Sequence, residues 1–348
     1  MYPPERILLC LIIRKSSNKP AEAAGTRGGN MKIDLITGLL GAGKTTLIRL
    51  YAEYLIAKGE KICILENDYG AVNVDMMFLQ DLLSDRCELE MVIGGDGYEA
   101  HRRRFKTKLI SMAMVGYDRV IVEPSGIYDV DEFFDTLREE PLDRWYEPGN
   151  VISVVSAETE PDLSDESAYM LASQVANAGC VVLSRVQLTT TEKIKEISRY
   201  LNMIMERFHC ARRFTDDIIA VPWDQSGGLD FDIISKCGYK STDHVKFQVE
   251  KDNGFNSLFY FYVKMDEAQV RSAVEKIFED PECGLVQRIK GFVKLEDNKW
   301  LRINAVPHKA EYEITGRGEE AVIVIGENLH KEWVDQYFLD YSRYNGIL

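Results

Sequence analysis

Long apolar runs are missing from this 348-residue chain. None approaches the ~18–20 residues needed to cross a bilayer, so no membrane partner is expected. Cys-x-x-Cys and Cys-x-Cys-Cys pairs are also missing. The seven cysteines (Cys10, Cys63, Cys87, Cys180, Cys210, Cys237 and Cys283) are scattered. At this length that spacing argues against a disulfide scaffold and for the reducing cytoplasm. Positive charge is in deficit: 42 Lys and Arg face 56 Asp and Glu, a formal net charge of −14. Such a surface repels polyphosphate in bulk, which excludes a general nucleic-acid binder. What remains is an ordinary globular balance, 45% hydrophobic and 28% charged. The length suits about two domains of roughly 100–200 residues each.

Residues 1–30 read differently from the rest. Arg6-Ile7-Leu8-Leu9-Cys10-Leu11-Ile12-Ile13-Arg14 is a short apolar run between arginines, and 16–30 is small, polar and Gly-rich. No cleavage site follows, so the stretch is read as a disordered extension, or as sequence upstream of a start at Met31, rather than a signal peptide.

From Lys32 short apolar runs alternate with helical patterns. Strands are predicted at 32–37, 61–66, 118–123, 150–155, 180–184 and 218–221. After the first, Leu47, Leu50, Tyr51, Tyr54 and Leu55 share a helical face, and Gly59 is placed to end that helix. The alternation predicts an α/β fold, a parallel sheet with helices on both faces. It stops near Gln225-Ser226-Gly227-Gly228. A first domain is therefore expected over 31–225, a linker over 226–242 and a smaller α+β C-terminal domain over 243–348. In the latter, strand-like segments at 257–265, 284–295, 299–305, 310–315 and 321–325 surround a helix at 266–280 with Asp266 as its N-cap. A last helix is predicted to carry Leu329, Trp333, Tyr337, Phe338 and Tyr341 on one face.

Gly38-Leu39-Leu40-Gly41-Ala42-Gly43-Lys44-Thr45, followed by Thr46, fits the pattern GxxxxGK[ST] between a strand and a helix. Glycines let the backbone N–H groups of such a loop converge on a phosphate chain at a helix N-terminus. Lys44 is expected on the β- and γ-phosphates, Thr45 on Mg²⁺ and Thr46 near the α-phosphate. Val120-Ile121-Val122-Glu123-Pro124-Ser125-Gly126 is an apolar strand ending in a carboxylate and then a glycine. Glu123 is expected to hold Mg²⁺ directly or through water, and the Gly126 N–H to sense the γ-phosphate. Asp68, after the second strand, is expected to reach Mg²⁺ or position the attacking water, in a loop over 67–75 that moves between nucleotide states.

These motifs together resemble the CobW-like GTPase family, relatives of the metallochaperone GTPases UreG and HypB. Thr37 to Thr46 is similar to that family's P-loop, Asn67-Asp68-Tyr69-Gly70 to its acidic loop, and Glu123-Pro124-Ser125-Gly126 to its ExxG element. Ile289-Lys290-Gly291-Phe292-Val293 and Trp300-Leu301-Arg302-Ile303-Asn304 resemble its C-terminal domain. The resemblance covers most of 31–341. It implies a P-loop NTPase fold, GTP with Mg²⁺, and a client metalloprotein or cofactor enzyme. Two departures stand out. Val92-Ile93-Gly94-Gly95-Asp96-Gly97-Tyr98 occupies the place of the family's Cys-x-Cys-Cys motif and has no thiolate for a zinc-like ion, which puts metal delivery by that motif in doubt. Ser184-Arg185-Val186-Gln187 stands where the family reads guanine with Asn-Lys-x-Asp. Gln187 offers a neutral acceptor where a carboxylate would make charge-assisted bonds, so ATP stays open beside GTP, with Arg185 able to stack on the base.

His101-Arg102-Arg103-Arg104-Phe105-Lys106-Thr107-Lys108 is a basic helical cluster, read as a solvated face and alternatively as a cation source in trans or a dock for an acidic partner. His209-Cys210 lacks further metal ligands, and His244, His308 and His330 show no ligand spacing. Pro222-Trp223-Asp224 follows the last strand of the first domain, and reads equally as a loop passing near the base or as ordinary packing. The leading expectation is a slow Mg²⁺-dependent GTPase switch; no water-positioning Gln or cis Arg is evident. A nucleotide-binding scaffold with little hydrolysis is the alternative, and a small-molecule kinase ranks last for want of an Arg-bearing lid.

Overall fold

Met31–Thr37 (β1) is fully buried except at Lys32, because its apolar side chains meet helices on both faces of a sheet. The computed structural model describes residues 30–68, 75–93, 98–126, 128–159, 161, 163–223, 228–242, 255–295, 299–307, 309–318 and 320–338. After β1 come Lys44–Ala57 (α1), Ile62–Asp68 (β2), Cys87–Ile93 (β3), Tyr98–Val115 (α2), Arg119–Pro124 (β4), Val130–Leu137 (α3), Leu142–Trp145 (α4) and Tyr146–Ser156 (β5). Asp165–Ala176 (α5), Cys180–Ser184 (β6), Thr191–Arg207 (α6), Ile218–Ile219 (β7) and Phe231–Ile234 (α7) complete this part. The seven strands run parallel in the order β3-β2-β4-β1-β5-β6-β7. One core lies between the sheet and α2, α3, α5 and α6, the other under α1 and α7. The α/β expectation therefore holds.

Three details differ from the sequence reading. β3 was not expected. Glu88 and Glu90 alternate with its apolar residues and are matched by Lys61, Tyr117 and Lys108, so this edge strand reads as polar. The strand expected over 218–221 shrinks to two residues. The basic cluster on α2 is a solvated face only in part: Arg103, Arg104 and Thr107 are exposed, but His101 and Phe105 are buried, Arg102 and Lys106 share Glu139, and Lys108 holds Glu90.

Beyond β7 the chain stays on the parallel sheet. Ile234 is buried beneath α1, and Tyr239 bridges to Ala178, within the span expected as a linker. Phe255–Phe261 (β8), Glu267–Glu279 (α8), Leu285–Lys294 (β9), Trp300–Val306 (β10), Lys309–Thr315 (β11), Ala321–Glu327 (β12) and Lys331–Phe338 (α9) follow. Their strands form an antiparallel sheet, β11-β10-β9-β12-β8. Asp266 caps α8 with a reciprocal capping box to Gln269, as expected for an N-cap three residues before a Gln. On α9, Val334 and Phe338 face the core while Trp333 turns outward, so the aromatic stripe is not a single buried face; Tyr341 lies outside the described residues. α8 and α9 cover one face of the sheet. Its other face meets the parallel sheet's loops: Phe292, Ile323 and Ile325 pack with Leu40, Met77 and Phe78. The described residues from Met31 onward thereby form one compact unit.

Candidate nucleotide site

The loop between β1 and α1 is shaped by glycines at positions no other residue fits. Gly38 has φ +147°, and a Cβ there would lie 2.2 Å from the Val154 carbonyl oxygen of β5. Gly41 has φ +72°, and its Cβ would lie 2.4 Å from Val306 Cγ1 at the end of β10. α1 starts without a side-chain cap and without an acidic residue in its first turn. Its first N–H groups and its dipole are thus left for an anion. Lys44, 5% exposed, donates to the carbonyls of Gly38 (3.0 Å) and Leu39 (3.4 Å). Thr45 Oγ1 donates to Glu123 Oε1 at 2.9 Å. Glu123 is buried beside β1 and β2, where Glu66 is its neighbour in register.

The exit of β4 touches the loop. A Cβ on Gly126 would come within 2.7 Å of the Leu40 nitrogen, and the Gly126 carbonyl accepts from Gln174 at 2.8 Å. Asn67 is buried at the end of β2, and its carbonyl accepts from Ser125 N at 3.0 Å. Asp68 is the last residue of β2, at the sheet end that faces this loop. Its side chain, residues 69–74, and residues 94–97 with Asp96 lie outside the described residues, as do residues 224–227, His244 and His308.

At the other end of the site, Arg185 has φ +57° and turns its guanidinium back to the loop. It donates to the Gly41 carbonyl at 2.9 Å and to Ser156 Oγ at 3.1 Å. Ser184 is buried, and its Oγ has no partner among the described residues. Trp223, buried, donates its indole N–H to the Leu183 carbonyl at 2.7 Å and lies beside Gly43.

A cavity of about 400 Å³ joins these groups. Gly41, Ala42, Gly43, Lys44, Thr45, Thr46, Glu123, Ser184, Arg185 and Gln187 all line it. Gly38, Leu40 and Gly126 are not among its lining residues; Gly38 packs on Val154 and Gly126 on Leu40. The sequence reading missed the opposite wall. Arg49 and Phe78 contribute from one side, and Arg288, Arg302, Asn304, Lys309 and Glu311 from the antiparallel sheet. The available signal was alternation in β10, where Leu301, Ile303 and Ala305 are buried and the intervening residues face the other way. Burial works to raise the Glu311 carboxyl. The bond and charge of Lys309, with Asn304 and the charge of Arg185, outweigh it and hold Glu311 below its ordinary pKa. The Thr45 hydroxyl and Glu123 carboxylate are hard oxygen donors at the base of an anion cradle, a set that fits Mg²⁺. Among the described residues, no group of three or more His, Cys, Asp or Glu side chains could hold a metal ion, and no helix is long and apolar enough to cross a membrane.

Residues 32–211 match the CobW/HypB/UreG nucleotide-binding domain. The zinc chaperone YjiA of Escherichia coli (strain K12) is 28% identical over 173 residues, covering 47% of this chain and 52% of that protein. The zinc-regulated GTPase metalloprotein activator 1 of Schizosaccharomyces pombe is 20% identical over 230 residues, 64% of this chain and 54% of that one. The chain thus spans about half the length of the curated relatives it matches. Among solved structures, Zn(II)-bound YjiA GTPase from E. coli aligns over 89% of this chain and 98% of its own at 20% identity, with a TM-score of 0.38.

Proposed function

Because the chain belongs to the CobW/HypB/UreG nucleotide-binding family, we propose that it is a Mg²⁺-dependent nucleoside triphosphatase that hydrolyses GTP and acts as a switch on a metalloprotein or cofactor-enzyme client. The observation that carries this reading is the Thr45–Glu123 hydrogen bond at 2.9 Å on the floor of an uncapped helix N-terminus. Thr45 and Glu123 would hold the Mg²⁺, which would supply neutralisation of phosphate charge. Main-chain N–H groups of residues 41–46 bind the phosphate oxygens. Lys44 gives up its loop carbonyls for the same oxygens, so its charge is already in place before substrate arrives. Gly126, pressed against Leu40, brings the β4 exit to the terminal phosphate. Asp68 orients the attacking water or reaches the metal. Arg185, anchored on Gly41, covers the base, and Ser184 and Gln187 read its edge.

The family membership and the relatives named as zinc chaperones and as a zinc-regulated activator support a metal-related client. Zinc as cargo would not travel on the stretch 92–98, which has no cysteine. The neutral Gln187 supports a looser choice of base, with ATP as the competing substrate.

Turnover is expected to be slow, on the order of 10⁻⁴–10⁻² s⁻¹, as in unassisted switch GTPases. Phosphate release from GTP and from ATP, with Mg²⁺ and with EDTA, tests the reading. Hydrolysis should need Mg²⁺ and vanish in Lys44→Ala. Retained turnover in that variant would remove the site assignment, and binding without phosphate release would favour a nucleotide-responsive scaffold.

A further inference from the structure

We propose that Gln174 of α5 is a positioning residue for the terminal phosphate: it holds the Gly126 carbonyl so that the Gly126 N–H meets the phosphate that GTP has and GDP lacks. The proposal rests on the nucleotide reading above and adds to it the side chain that sets the aim of that N–H.

Ser173 and Gln174 stand side by side in a stretch of α5, residues 167–176, in which every residue is buried. Burying an amide costs free energy unless its hydrogen bonds are made. Gln174 makes one of them, from Nε2 to the Gly126 carbonyl at 2.8 Å. Its Oε1 is buried without a partner among the described residues. A leucine or methionine would fill the same space and leave no acceptor unmet. What the amide supplies beyond filling is the donor to Gly126.

The other bonds at the exit of β4 show what that donor completes. Ser125 N donates to the Asn67 carbonyl at 3.0 Å, and the Ser125 carbonyl accepts from Tyr128 N at 3.1 Å. The Ser125–Gly126 peptide is trans, so the Gly126 N–H points opposite to that carbonyl. Gln174 then holds the next carbonyl, and the peptide planes on both sides of the Gly126 Cα are fixed. Glycine has the widest backbone freedom of any residue, so its N–H wanders most when one side is released. The bonds of Ser125 run main chain to main chain, whereas the bond to the Gly126 carbonyl depends on the side chain at 174. Gly126 itself lies against the phosphate loop, where a Cβ on it would come within 2.7 Å of the Leu40 nitrogen. A donor there must keep its direction, because hydrogen bonds weaken steeply as they bend.

α5 is a firm mount for this contact. Ser173 Oγ accepts from Val130 N at 3.3 Å and donates to Asp129 Oδ1 at 2.8 Å, so the helix grips the chain again just past Gly126. At the other end of α5, the hydroxyls of Ser164 and Ser167 donate to Glu327 of β12. The N–H is therefore aimed before nucleotide arrives, which is what stabilises charge building on a transferring phosphoryl group.

The test uses the full chain as wild type, Gln174→Met, Gly126→Ala and the double variant. Titration calorimetry with guanosine 5′-(β,γ-imido)triphosphate and with GDP gives an affinity ratio, paired with single-turnover hydrolysis of GTP and with thermal melting without nucleotide. Gln174→Met should melt close to wild type and bind the triphosphate about tenfold more weakly, while GDP affinity changes by less than about threefold. Hydrolysis should slow by about tenfold or more. A residue that only packs would do the reverse, moving the melt and leaving the ratio. The double variant should lose no more of the ratio than Gly126→Ala alone, since both changes act on the same N–H. A partly unfolded sample lowers the stoichiometry for both nucleotides alike, so the ratio still decides if Gln174→Met melts early; if that variant does not fold, Gln174→Leu takes its place. A wild-type ratio and rate in the Gln174 variant, or losses that multiply in the double variant, overturn the inference while leaving the nucleotide reading intact. A wild-type chain that retains neither nucleotide overturns both.

Discussion

Asp34→Ala probes the packing beneath the phosphate loop. Asp34 lies in β1, four residues before Gly38, and is fully buried. Its Oδ2 accepts from Tyr51 Oη at 2.7 Å, Arg119 Nη1 at 2.7 Å and Asn150 Nδ2 at 3.2 Å, and its Oδ1 accepts from Asn150 N at 2.7 Å. Truncation leaves the Arg119 guanidinium, 5% exposed, with the half-buried Glu60 at 2.9 Å as its one remaining counter-charge among the described residues. Breaking one side of a buried ion pair costs about 3–5 kcal/mol. The upper part of that range applies, because the Tyr51 and Asn150 donors lose their acceptor as well. Against a total stability of about 5–15 kcal/mol, the loss is large. In urea, with a slope of about 3 kcal/mol/M, the unfolding midpoint should fall by about 1 M or more. Arg119→Met should cost a similar amount, and the Asp34→Leu/Arg119→Met double variant clearly less than the sum of its parts. Single-variant losses below about 1 kcal/mol, or strict additivity, would refute the account of this network.

Gln187→Asp should raise the preference for GTP over ATP by about 10- to 100-fold in titration calorimetry, because a carboxylate gains charge-assisted bonds from guanine; an unchanged ratio would take residue 187 out of base contact. Burial pushes the Cys87 and Cys283 thiols up to about 11, and Cys63 higher still. At pH 8 a disulfide reagent should therefore leave all three unlabelled until the chain unfolds, and rapid native labelling of Cys63 would contradict its burial. The hydrogen bond from Lys106, then the charges of Lys106 and Arg102, hold Glu139 below its ordinary pKa. Its stabilising effect is then present above the unfolded carboxylate value of about 4.3 and fades as pH falls through the folded value. Glu139→Gln should lower stability at pH 7 and flatten the acid limb of the stability curve; parallel curves for the two proteins would remove the ion pairs from the acid response.

What the sequence disclosed depended on how local the signal was. The phosphate loop is spelled by adjacent residues, and its glycines adopt the backbone angles that spacing requires. The Thr45–Glu123 pair spans 78 residues but stays readable, since a parallel sheet brings strand ends to one edge. β3 was lost because its charged residues are matched only by Lys61, Lys108 and Tyr117, from other elements. Asp34 hides inside an apolar run, and its partner Arg119 is 85 residues away. The basic wall was out of reach for the same reason. Alternation in β10 says that Arg302 and Asn304 share a face, but which surface that face meets is decided by how two sheets dock.

β11 carries a second consequence. It is the outermost strand of its sheet, and its main-chain donors and acceptors on the outer side have no neighbouring strand within the sheet. Lys309, Glu311 and Glu313 recur at every other position along it. Charges so spaced discourage an incoming chain from adding itself to the row. Glu313 therefore serves two ends, steering Arg302 across the strand pair and guarding a border against self-association. An experimenter who replaces it with valine to loosen that arginine should check the sample by light scattering before reading the kinetics.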